Sequence, residues 1–515
     1  MFILTSLPWW ILILFFFQCK KISYHNIAIS AETTILAAAT SDNITVLRSS
    51  FPKGFIFGTA TAAYQYEGAA KECGKGPSIW DVFTHIPGHI IDNSTGDVAV
   101  DQYHRMEEDV WLLKDLNMDA YRFSISWARI LPSGRGRVNW PGVMYYNRLI
   151  NYLLLQNIVP FVTLYHWDLP EALEESIGGW LNSEIVEIYG EFAQLCFQLF
   201  GDRVKHWITF NEIHSFAGSG YFSGTNAPGR CSAPYGNCTQ GNSLTEPYIV
   251  AHNALNAHAL AVNIYKTQFQ DEQKGLIGIT ADSPWYEPLT DSSQDREAAQ
   301  FGIEDFIGWF LDPIFFGDYP ASMRASLGNR LPHFTAKQSA AIKGSYDFIG
   351  LNHYSSEYAT RNDSDGSIAI TPYKNGVLIG PKTPSDWLFV VPSGMRKILG
   401  WIRERYNNPI IYITENGVDE VNSEDLLPLN EQLHDLQRIQ YHHDYMQNIL
   451  LAMRDGSDVR GYFAWSLLDN FEWDSGFSVR FGIYYVDYKN KRARYPKSSA
   501  HWFQHILKRR GFVGS

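Results

Sequence analysis

Eight short apolar runs recur between Phe55 and Trp465, and helical patterns lie between most of them with no low-complexity linker. This alternation predicts βα units wound around a parallel sheet. The candidate strands span residues 55–59, 120–126, 159–165, 205–210, 276–281, 347–351, 410–414 and 461–465. Helical patterns over 107–116, 143–156 and 184–200 supply crossovers between them. Eight units in one chain is the count of a (β/α)8 TIM barrel, an α/β fold, and such barrels accommodate a chain of 515 residues as one domain. The remaining length is expected in loops after strands, above all 221–244 and 355–386, at the end where loops wall a site.

What the runs end in is as regular as the runs. Residues 410–417 read I-I-Y-I-T-E-N-G, a doubly buried strand that stops at Thr414, Glu415 and Asn416. A carboxylate at the mouth of a buried strand is costly unless something needs it there. Residues 206–213, H-W-I-T-F-N-E-I, repeat the design with Asn211 and Glu212. Gln65 and Glu67 follow the first strand; Ser126, Trp127 and Arg129 the second; His166, Trp167 and Asp168 the third. Asn352, His353 and Tyr354 follow the sixth, and Ser466, Asp469, Asn470, Glu472 and Trp473 the eighth. One such cluster would be turn chemistry; seven at equivalent ends make a site. Strands four and seven lie across the barrel, so Glu212 and Glu415 point into one mouth. Opposed carboxylates suit cleavage of a glycosidic bond, one lending a proton while the other attacks or serves as base. A gap of about 5 Å implies retention through a covalent intermediate, and roughly 6.5–9.5 Å implies inversion.

T-F-N-E and I-T-E-N-G resemble the acid/base and nucleophile motifs of family 1 glycoside hydrolases, and the plant β-glucosidases are the nearest likeness. The resemblance runs from Phe51 to Leu507. It includes F-P-K-G-F-I-F-G-T-A-T-A-A-Y-Q-Y-E-G, Y-R-F-S-I-S-W-A-R-I-L-P, T-L-Y-H-W-D-L-P and W-S-L-L-D-N-F-E-W, in that order. It implies a retaining enzyme with Glu212 as general acid/base and Glu415 as nucleophile, supported by Arg122, Asn352 and Tyr354. It also implies a glycone pocket of Gln65, His166, Asn211, Glu472 and Trp473, with Trp465 as ring platform and Trp387 stacking the leaving group. Singly, His166 reads as a core histidine and Trp465 and Trp473 as core aromatics; their joint placement carries the argument. Phe216, Ser219, Asn226 and Asp474 are expected at the entrance. Two departures stand out: Ile213 where the family has proline, expected to adjust the loop, and His353 where it has an aromatic, expected in the pocket wall. Glutamate, not glutamine, at 212 argues against the thioglucosidase branch.

The function implied is hydrolysis of a small plant glucoside, with galactose or fucose as less favoured glycones. The alternatives are a transglucosidase built from the same residues and a catalytically inactive sugar-binding barrel. A net charge of −12 with no basic stripe disfavours nucleic acid as a partner. The aromatic content of 15%, with 16 Trp, suits flat platforms for sugar rings. Neither a metal nor an organic cofactor is indicated, and the oligomeric state is left open. Residues 7–17 are almost wholly apolar but short for a membrane span, so 1–30 read as a signal peptide, 31–50 as a mobile arm and 51–510 as the barrel. Sequons begin at Asn43, Asn93, Asn237 and Asn362. Cys231 and Cys238 can close a small ring in an oxidising compartment. These features point to the secretory pathway, ending in the apoplast or vacuole.

Overall fold

The computed structural model describes residues 45–362 and 367–509. The expected leader, Asn43 and the expected arm as far as residue 44 lie outside the described residues. Eight parallel strands close a barrel: β1 (Ile56–Ala60), β2 (Ala120–Ser124), β3 (Val159–Tyr165), β4 (His206–Asn211), β5 (Leu276–Asp282), β6 (Phe348–Asn352), β7 (Ile411–Asn416) and β8 (Val459–Ala464). Each strand pairs with its neighbours in chain order, and β8 returns to β1 through Ile56 opposite Gly461. Every expected strand is present to within a residue or two.

Phe161, His206, Phe348, Tyr412 and Phe463 pack together inside the barrel. The ring of Phe161 stacks on His206 at 4.0 Å and meets Phe463 at 4.8 Å. Burial lowers the His206 pKa to about 4, so the imidazole packs there as a neutral ring. This packing leaves no room beside it on β1: a Cβ at Gly58 would lie 2.5 Å from the Phe463 ring. Long helices cover the outside, among them Trp140–Leu155, Ile185–Phe200 and Glu246–Gln268, with apolar faces turned inward.

Register shifts break the β4–β5 pairing between Ile208 and Asn211, and the β7–β6 pairing between Ile413 and Glu415. A bulge re-aims the side chains beyond it. Both shifts fall where the two carboxylates emerge.

The segment expected as a long loop after β6 is partly a sheet. Ser356–Arg361 pairs antiparallel with Ile368–Thr371 and parallel with Trp285–Pro288, which follows β5. These strands carry mixed polar side chains because only part of their surface is covered, so they lack the apolar run that marked the barrel strands. The 221–244 loop does carry the Cys231–Cys238 disulfide, with Cα atoms 5.2 Å apart.

The compact unit begins at Leu47 and overlaps the expected arm. Arg48 accounts for this, since it pairs with Asp119 at 2.6 Å and donates to the Leu507 carbonyl at 3.0 Å. Asn93, Asn237 and Asn362 are exposed. Among the described residues no helix is long and apolar enough to cross a membrane.

Candidate active site

Within the C-terminal halves of the strands, a hydrogen-bonded chain joins four of them. Arg122 of β2 is wholly buried; it donates to Glu415 Oε1 on β7, and at 2.6 Å to Asn211 Oδ1 on β4. Asn352 of β6 donates to the same Asn211 oxygen at 3.1 Å and to Glu212 Oε1 at 2.6 Å. Three residues, Arg122, Asn211 and Asn352, therefore bridge Glu415 to Glu212. Tyr354 completes the set around Glu415, its hydroxyl donating to Oε2 at 2.7 Å.

These contacts fix more than position. With its oxygen taken by Arg122 and Asn352, Asn211 turns its amide nitrogen to His166 Nε2 at 3.0 Å. That leaves the proton of a neutral His166 on Nδ1, which has no protein partner. Burial, and then the Arg122 charge, hold the imidazole well below its usual pKa. Gln65 donates to Asn470 at 2.8 Å and to Glu472 at 3.3 Å, and Gln65 Oε1 and Glu472 Oε1 are likewise buried without a partner. Buried polar atoms are normally paired; here His166 Nδ1, Gln65 Oε1 and Glu472 Oε1 are among several unpaired ones on site residues. The rings of Trp473 and Trp465 both lie near-parallel to His166, at 5.8 and 6.1 Å.

The two carboxylates occupy unlike environments. Glu415 sits between a guanidinium and a phenol, both donating to it. Glu212 accepts from a neutral amide, and its pKa is pushed well up by burial first, then by the charges of Asp282 and Glu415. A carboxyl that holds its proton, beside one clasped by two donors, is the division of labour that acid-assisted displacement requires.

Glu212 has left-handed backbone, φ 47°, as do Trp167 (φ 78°) and Trp473 (φ 52°). Such backbone in a non-glycine residue costs of order 1–3 kcal/mol and concentrates at functional sites. After Glu212 the chain enters the helix Ile213–Gly218. Ile213 is its first residue, a position that suits proline but does not demand it. His353 is fully buried behind the wall, where Nδ1 contacts the Ser283 carbonyl at 2.7 Å and burial lowers its pKa to about 4.

A cleft of about 420 Å³ opens above Glu212, Asn352, Tyr354 and Trp473. Trp387, 52% exposed, stands on its wall edge-on to Tyr354 at 5.6 Å. Ser219, Asn226 and Asp474 line it as expected. Phe216 does not; it packs beneath on Tyr165 and Trp180. Glu67, Ser126, Arg129 and Asp168, which follow the first three strands, also go elsewhere. They line a separate small void in which Glu67 pairs with Arg129 at 2.7 Å.

Asp282 was missed by the sequence reading. It ends β5, accepts from Ser215 at 2.9 Å, and has its pKa pushed up to about 7, by burial first and also by Glu415. The signal was available: I-G-I-T-A-D is another apolar run ending in an acid, and the expected strand stopped one residue short.

Comparison with known proteins agrees with this geometry. The Glycosyl hydrolase family 1 model matches residues 47–512. Beta-glucosidase 34 of Oryza sativa subsp. japonica is 54% identical over 474 residues, covering 89% of this chain and 92% of the relative. Beta-glucosidase 40 of Arabidopsis thaliana is 52% identical, covering 90% and 93%. A crystal structure of a rice β-glucosidase superposes with a TM-score of 0.89 at 52% identity, covering 90% of this chain and all of that one; a mutant of the same enzyme has been solved in a covalent complex with Glc. The chain belongs to glycosyl hydrolase family 1, whose members hydrolyse O-glycosyl bonds.

Proposed function

We propose that this chain is a retaining β-glucosidase that cleaves small plant glucosides by double displacement. Glu415 attacks the anomeric carbon while Glu212 gives its proton to the departing oxygen. The glycosyl ester formed on Glu415 carries no charge, so one source of the raised Glu212 pKa is gone and Glu212 can take a proton from water. Gln65, His166, Glu472 and Trp473 bind the sugar hydroxyls, with Trp465 beneath the ring. Asn211 holds the 2-hydroxyl, a contact that strengthens as positive charge develops at the anomeric carbon. A flat aglycone rests on Trp387. The observation that carries this reading is the unlike pair: Glu415 between Arg122 and Tyr354, Glu212 buried against negative neighbours.

Hydrolysis is favoured over transfer to an alcohol because Ser215, Ser219, Thr225 and Asn226 give the cleft wall polar groups that hold water. Passage through the secretory route belongs to the same proposal, supported by the Cys231–Cys238 disulfide.

An activated 2-deoxy-2-fluoro-β-glucoside slows the second step and tests the mechanism. The expected result is stoichiometric inactivation, with one fluoroglucosyl group on the peptide containing Glu415, absent in Glu415→Gln. Inactivation with the label elsewhere, or turnover retained in Glu415→Gln, refutes the assignment.

A further inference from the structure

The charge of the aglycone cleft is one-sided. Besides Glu212, its wall carries three carboxylates on three separate segments: Asp282 at the end of β5, Glu357 in Ser356–Arg361, and Asp474 beyond β8. No lysine, arginine or histidine lines it. Cations close by in sequence have partners of their own: Lys382 pairs with Asp386, and Lys397 with Glu287. Arg122 is bonded to Glu415 and Asn211. None of the three wall carboxylates is in an ion pair among the described residues. The same wall carries Trp473 and the half-exposed Trp387. Aromatic faces and carboxylates around one opening form a receptor for an ammonium group, which is attracted by both.

Resting on the β-glucosidase reading above, we infer that the cleft selects glucosides by aglycone charge, favouring those that carry a protonated amine and rejecting those that carry a carboxylate. A neutral phenol is the intermediate case. Asp474 and Glu357, which among the described residues make no hydrogen bond to either catalytic glutamate, are the specificity-determining residues. A cation beside them gains Coulomb attraction without disturbing Glu415. An anion meets the carboxylates of Glu357 and Asp474 in a space partly shielded from water, where screening by salt is weak. Asp282, whose pKa is pushed up to about 7, adds to them as it ionises.

Three phenyl β-glucosides test this. Each carries a para side chain ending in ammonium, hydroxyl or carboxylate, set off by two saturated carbons so that the leaving phenols have matched acidity. The readout is the ratio of kcat/KM between charged and neutral members, which cancels losses of folding or of active fraction. The expected ammonium-to-carboxylate ratio is about tenfold or more, equivalent to about 1.4 kcal/mol. Glu357→Gln and Asp474→Asn, both nearly isosteric, should each lower that ratio by about threefold. A ratio near one in the wild type overturns the inference while leaving the hydrolase reading intact. So does a large ratio that neither variant changes, since the selection would then come from the catalytic pair. No turnover of the neutral glucoside overturns both.

Discussion

Replacing Arg122 with methionine keeps most of the volume at this site and removes the guanidinium bonded to Glu415. Arg122 is wholly buried and the Glu415 side chain is 5% exposed, so water cannot take over the lost interaction. Asn211 Oδ1 keeps its bond from Asn352 at 3.1 Å, and Glu415 Oε2 keeps Tyr354 at 2.7 Å. Glu415 Oε1 loses its charged partner, so the cost falls on that carboxylate. Breaking a buried pair by removing one member destabilises by about 3–5 kcal/mol, chiefly because an uncompensated charge remains. Unfolding entropies near 2.1 cal/mol/K per residue give about 1 kcal/mol/K for a barrel of roughly 470 residues, so Tm should fall by about 3–5 °C.

The double variant Arg122→Met/Glu415→Gln separates this cause from simple loss of packing. Glutamine has the shape of the glutamate but no charge to leave unpaired, so the double variant should melt within about 1–2 °C of the wild type, with a coupling of about 2–3 kcal/mol. Differential scanning calorimetry at pH 7 and fixed scan rate measures all four proteins. Additive losses, or a double variant no more stable than Arg122→Met alone, would refute the argument that an unpaired carboxylate dominates.

Glu212→Gln should slow cleavage of a phenyl glucoside by about 10²–10⁴-fold, with a far smaller loss on a dinitrophenyl glucoside, whose leaving group needs no proton; equal losses in steady-state kinetics would deny Glu212 the acid role. Asp282→Asn removes a negative charge that helps raise the Glu212 pKa. The basic limb of the kcat/KM profile, where Glu212 loses its proton, should move to lower pH, and an unmoved limb would show the two groups uncoupled. Lys497→Met should cost about 1.5–3 kcal/mol at pH 6, since buried Asp469 loses a partner at 2.9 Å but keeps Arg480 at 2.7 Å. Burial alone would raise the Asp469 pKa, but Lys497, Arg480 and Arg438 outweigh it and hold it below the usual value. Their stabilisation is therefore present above the unfolded value near 3.9 and fades as pH falls through the folded one. Tm measured against pH should show the wild-type advantage shrinking in acid.

The strands were legible because each is a run of β-formers buried on both faces, and that signal is local. The small sheet above the barrel was not, since a segment such as S-E-Y-A-T-R owes its strand to partners far away in the chain. Glu212 and Glu415 stood out because an acid that interrupts such a run is conspicuous. Which polar residues share the mouth was beyond the sequence pattern taken alone. His166 and Asp168 are two apart after the same strand, yet one meets Asn211 and the other lines the void with Glu67.

What decides the difference is side-chain direction at the strand ends, and there the backbone departs from the regular period. In an unbroken strand Thr414 and Glu415 would face opposite sides. Yet Thr414 donates to Asn352 Oδ1 at 2.8 Å, while Glu415 binds Arg122 and Tyr354, all around one mouth. The register shift after Ile413 makes this possible. On β4 the corresponding shift is followed by the left-handed turn at Glu212, with its amide anchored to the Thr280 carbonyl at 3.0 Å. The two acids thus meet because both strands break period where the acid occurs, and the strain of that turn is offset by the contacts that hold it.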